Sequence, residues 1–108
     1  MARSTRVFFQ SQVGVIRKNT NWEAINVDSA VIITAASFAF NPSQTTKTQG
    51  RPILTDNSSV YVTNVGPHGG HDTGEAGGVE YHLHVDGDPQ DVVVTITVVE
   101  DIESWVFA

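Results

Sequence analysis

The chain has 108 residues, 40% of them hydrophobic, no cysteine, and a formal net charge of −6. That length is one domain, and without disulfides its core is held by packing alone. Missing thiols exclude blue-copper, iron–sulfur and cysteine-zinc chemistry, and the acidic balance argues against nucleic-acid or anionic-membrane binding.

The opening Met1-Ala2-Arg3-Ser4-Thr5-Arg6 is basic, but the apolar run after it, Val7-Phe8-Phe9, is short and is broken by Gln10, Ser11 and Gln12. Neither a secretory signal nor membrane insertion is predicted. A cytoplasmic location and export without a cleaved signal both stay open. Val7, Phe9, Val13 and Val15 share one parity against Gln10, Gln12 and Gly14, which predicts a half-buried, bulged strand ending at Arg17-Lys18-Asn19. A short second strand is expected over 22–27.

Residues 30–40 are apolar on both parities. Asp28 is a possible helix cap, but the β-branched run Val31-Ile32-Ile33-Thr34 and the aromatics favour a central strand. Residues 41–50 are polar and read as an exposed loop. Residues 51–55 predict a short edge strand, because Pro52 lacks an amide proton. Asp56-Asn57-Ser58 predicts a turn, and 60–65 the next strand.

Residues 66–78 carry six glycines and read as an irregular loop. Residues 79–85 alternate strictly, Asp86-Gly87-Asp88-Pro89 is a turn signature, and 91–99 is the clearest strand. Ser104-Trp105-Val106-Phe107 predicts a last short strand. With turns at this spacing, the fold expected is all-β: a single antiparallel β-sandwich, immunoglobulin-like or jelly-roll-like, with about seven or eight strands.

The strongest chemical signal is His82-x-His84 with Glu80 two residues earlier. Side chains alternate along a strand, so these three project from one face and Val79, Tyr81, Leu83 and Val85 from the other. Two imidazoles on one strand face are a natural pair of zinc ligands. His68 or His71 from the preceding loop would supply a third, with Asp72 or Glu75 as a carboxylate ligand or as the group that orients a ring. The same alternation is also what any strand with one wet face requires. Asp86, Asp88 and Asp91 offer oxygens for calcium, although a hairpin turn accounts for the Asp-Gly pair without an ion.

Long glycine-rich loops often close over ligands, and exposed aromatics stack on sugar rings. Of the four Trp and Tyr residues, Trp105 is the best placed for a contact surface, whereas Tyr81 reads as core. No nucleophile-elbow pattern is present.

All six basic residues lie at or before Arg51, and nine of the twelve acids lie between Asp72 and Glu103. If the fold keeps these halves apart, the charges form a dipole that favours head-to-tail contacts. If distant strands interleave, the charges mix.

The leading expectation is therefore a non-catalytic recognition module for a small-molecule or glycan ligand. Its contacts would be His68, His71, Asp72, Glu75 and Trp105, with zinc or calcium as the cofactor held by Glu80, His82 and His84. The alternative is a self-associating structural subunit, of a filament, phage or surface layer, driven by apolar ends. A small metal-dependent enzyme is the third. Homo-oligomers are expected under either of the first two.

Overall fold

The β-branched runs of the sequence favour strands, and the fold is all-β, with no helix among the described residues. The computed structural model describes residues 2–39, 51–53, 59–70 and 74–108. Among them are five strands: β1 (Arg3–Asn21), β2 (Ser29–Ala39), β3 (Arg51–Ile53), β4 (Val60–His68) and β5 (Gly78–Asp101). All pairings are antiparallel in one sheet of order β1-β5-β2-β3, with β4 also on β5.

β5 is the spine. Its first part lies between β1 and β4, with Val15 opposite His84 on one side and Tyr61 opposite His84 on the other. Its second part lies between β1 and β2, with Val7 and Ala35 both opposite Val94. Between the two parts the ladder breaks. Gln12 faces Gln90 but Gly14 faces Val85, so the four residues Asp86–Pro89 of β5 stand against the single Val13 of β1 as a bulge. Ser11 (φ 51°), Gly14 (φ 79°) and Gly87 (φ 88°) take left-handed backbone there, and the Asp91 carboxylate accepts the Ser11 amide at 2.9 Å.

This irregularity decides which side chains are buried. A one-residue slip moves a strand's side chains to the other face. Before the bulge, Val79, Tyr81, Leu83 and Val85 of β5 point inward; after it, Val92, Val94, Ile96 and Val98 do. All eight meet with Ile25 in one core. Further contacts link the early part of the chain to residues beyond the break: the Lys18 ammonium lies 4.2 Å from the Phe9 ring centroid, and the Arg3 guanidinium 5.3 Å from that of Trp22. On the outer face, Phe8 and Phe38 meet edge-on at 4.9 Å, and Phe8 stands opposite the buried Val93.

Several expectations are corrected. Val13 and Val15 do not share the inward face of Val7 and Phe9. Past the bulge they are exposed, and Ile16, Lys18 and Thr20 become half-buried. Residues 22–27 form a turn rather than a strand. The Asn26 side chain accepts the Asp28 amide at 2.8 Å, and the Ser29 hydroxyl accepts the Asn26 amide at 3.0 Å. Such local bonds compete with a sheet ladder, and the turn drives Ile25 into the core.

Asp86-Gly87-Asp88-Pro89 does not reverse the chain, because both flanking segments pair with the same strand, β1. Residues 104–107 form no strand. The last backbone bond before them runs from the Ile102 amide to the Asp28 carbonyl at 2.8 Å. Merging two predicted strands into β5 and losing 22–27 and 104–107 leaves five among the described residues.

The central strand expected over 30–40 is β2, Ser29–Ala39, lying between β5 and β3. The edge strand over 51–55 is β3 for Arg51–Ile53. Phe40, the loop 41–50, Leu54, Thr55 and the turn at Asp56-Asn57-Ser58 lie outside the described residues. The loop expected over 66–78 is narrower. β4 continues through Gly66-Pro67-His68, which pair with Glu80, Val79 and Gly78 after an irregularity at Asn64 (φ 57°).

Candidate functional site

The outer face of the β1/β5/β4 region collects most of the candidate side chains. Its rows follow from the register: Val15, His84 and Tyr61; Arg17, His82 and Thr63; Asn19, Glu80 and Gly66; Asn21, Gly78 and His68. Tyr81 and Leu83 point the other way and are fully buried, as strand alternation requires.

Each candidate ligand on this face has protein neighbours. The His84 ring stacks on Tyr61 with centroids 4.5 Å apart and planes 8° from parallel. His84 Nε2 is hydrogen-bonded to Thr63 Oγ1 at 2.7 Å. Arg17 Nη2 donates to Glu80 Oε2 at 2.9 Å, an exposed pair of the kind that contributes little to stability. The His82 and His84 rings lie 6.4 Å apart at 65°. To bind zinc together, His84 would release Thr63 through Nε2 or turn Nδ1 outward, and Glu80 would leave Arg17. Among the described residues no group of three His, Asp or Glu is arranged to hold a metal.

The structure does not bring His68 beside that pair. His68 stands in the Gly78 row, four residues along the strand from His82, or roughly 13 Å. Its ring is held elsewhere. Nδ1 lies 3.0 Å from the Ala76 carbonyl and 3.3 Å from Glu75 Oε1, and Nε2 lies 2.7 Å from Asn19 Oδ1. Asn19 Nδ2 in turn donates to Asn21 Oδ1 at 3.1 Å. Gly78 makes this reach possible. It sits between His68 and Asn21 with no side chain, and a Cβ there would lie 2.6 Å from the Thr20 carbonyl oxygen.

The structure therefore brings His68 and Glu75 together as a clasp at the base of the glycine loop, and His82 and His84 together further along. His71 and Asp72 lie outside the described residues. Of the calcium candidates, Asp91 is engaged with the Ser11 amide, while Asp86 and Asp88 sit on the exposed bulge.

Sequence reasoning missed Tyr61, Thr63, Arg17 and Asn19 as the partners of these groups. For Arg17 and Asn19 the outward parity was itself hidden, because they share the parity of Val15, which the alternation assigned to the buried face. Which of the four stands opposite which histidine was not legible either, because the register depends on the irregularities at Asn64 and Gln12.

Trp105 is 70% exposed, Val106 88% and Phe107 91%. The Trp105 and Phe107 rings lie on the same side of the tail, with centroids 6.4 Å apart and planes 17° from parallel. Set beside known proteins, the chain matches no family model, no curated protein and no solved structure.

Proposed function

We propose that this chain is a structural subunit that self-associates through its apolar C-terminal segment. The observation that carries this reading is the exposure of Trp105, Val106 and Phe107 side by side beyond the hydrogen bond from Ile102 to Asp28. Burying such a side chain stabilises by about 1.5–3 kcal/mol, so three adjacent ones are a large association term held in reserve. An apolar cluster left in water marks an interaction surface. Deleting 104–108 tests the reading by native mass spectrometry. The 108-residue chain is expected as oligomers, and the truncated chain as monomer with an unchanged melting temperature. Oligomers of unaltered size after truncation would refute it.

A second reading is favoured by the Tyr61–His84 stack. Tyr61 is 43% exposed and shares an outward face with His82, Arg17 and Asn19, a mixture of flat rings and hydrogen-bonding groups suited to a glycan or small ligand. A divalent ion would join by displacing Thr63 and Arg17 from His84 and Glu80. On this reading His84→Ala abolishes retention on a glycan array and leaves the melting temperature within a few degrees. Equal retention by both proteins would reject it. For the architecture we propose a β-sandwich in which β5 serves both layers; the shared core of its two parts supports this.

A further inference from the structure

The geometry points to the free edge of β1 on a second copy of this chain as the acceptor for the C-terminal segment, which adds there as an extra strand beside Val13, Val15 and Arg17. The inference rests on the self-association reading and specifies its surface.

Three observations converge on this edge. β1 is 19 residues long, and among the described residues it pairs only with β5. A strand edge of that length is a template for another chain. Secondly, it is apolar where an added strand would need it. Val13 is 49% and Val15 64% exposed, and Val15 ends the row that runs through His84 to Tyr61. In an extended tail, Trp105 and Phe107 share one face and would extend that row.

The third observation is charge. β1 holds Arg3, Arg6, Arg17 and Lys18, four of the six basic residues, whereas the segment beyond the Ile102 bond carries Glu103 and no base. Like charges keep two β1 edges from pairing with each other, and opposite charges admit the tail. Among the described residues β4 and the Ser29–Ala36 stretch of β2 that β3 leaves uncovered contain no lysine or arginine, and β3 is three residues long, so no alternative edge offers the same match.

The tail does not serve its own β1. Ile102 is bonded to Asp28, on the side of β5 away from β1. Crossing from β5 to the far side of β1 spans two strand spacings, about 10 Å. At ~3.3 Å per residue the crossing takes up roughly three residues, 103–105, so Trp105 of the same chain is spent on the connection and does not lie beside Val15.

The absence of native cysteine makes disulfide trapping a clean test. Phe107→Cys protein is mixed with separately purified Val13→Cys, Val15→Cys or Arg17→Cys protein and oxidised. A Tyr61→Cys protein reports the β4 edge. All the positions are exposed, so folding is expected to survive; circular dichroism of each variant checks this. Disulfide-linked heterodimers are expected with at least one β1 variant, at ten-fold or greater excess over the Tyr61→Cys product. A cross-link to Tyr61→Cys alone, or to none of the variants while native mass spectrometry still shows oligomers that vanish on truncation, overturns the β1 assignment and leaves self-association standing. Monomers in every sample, including the unmodified chain, overturn both.

Discussion

Tyr81 shows how one side chain serves two environments. Its ring is buried in the core, and its hydroxyl is hydrogen-bonded to Thr20 Oγ1 at 3.1 Å. Burial pushes the phenol above the ordinary value of 10.0, while the Thr20 bond opposes that shift. The unfolded chain therefore loses this proton first as pH rises through 10.0, and the folded chain loses stability across that window. Lys18 acts in the opposite sense. Burial lowers its ammonium from 10.5, so the unfolded state binds the extra proton and stability rises with pH just below that value. Tyr81→Phe removes one hydrogen bond, at a cost of ~0.5–1.5 kcal/mol near neutrality. It also removes the alkaline penalty. Urea denaturation is expected to show the wild type ahead at neutral pH and the gap shrinking or reversing above pH 10.0. A constant gap would mean that the phenol titrates alike in both states.

At the scale of elements, the glycine loop is a packing device as much as a connection. The Trp22 amide donates to the Gly77 carbonyl at 2.8 Å and the Val27 amide to the Gly69 carbonyl at 2.9 Å, so the loop is pressed against the turn that inserts Ile25 into the core. A Cβ on Gly77 would lie 2.0 Å from the Ile25 carbonyl oxygen, whereas one on Gly66 meets nothing within 4 Å. Gly77→Ala is expected to destabilise by about 1–3 kcal/mol, as overpacking does, and Gly66→Ala to stay within about 0.5 kcal/mol. Thermal unfolding of the two variants checks the contrast; equal melting temperatures would show that the loop is free to move away. Composition marked this segment as glycine-rich. It did not distinguish glycines that a neighbouring backbone requires from those in open space, because the neighbour is more than forty residues away in sequence.

Across the whole molecule, the charge halves of the sequence do not separate into two sides. β1, with most of the bases, lies directly beside β5, with many of the acids, and Arg17 meets Glu80. Of the two alternatives the sequence left, strand interleaving is the one seen between β1 and β5. What persists is a basic edge strand and an acidic C-terminal stretch. Contacts between them are exposed at their rims, so salt screens them. The association constant is expected to fall several-fold between about 0.05 M and about 0.5 M NaCl, measured by sedimentation at constant protein concentration. Salt-independent or salt-strengthened association would assign the whole effect to the apolar tail residues.

The sequence by itself determined the all-β class, the buried parity of Val79, Tyr81, Leu83 and Val85, and the outward set Glu80, His82 and His84, because alternation is a local property of an extended backbone. The exposed apolar C-terminal stretch was visible there as an apolar run. Only the tertiary structure decided that Asp86-Gly87-Asp88-Pro89 is a bulge, since whether such a segment turns back depends on which strand runs beside it. It decided likewise that His68 stands apart from His82 and that Val15 faces water. Each of these follows from register, and register is set by contacts between residues far apart in the chain, which no local pattern records.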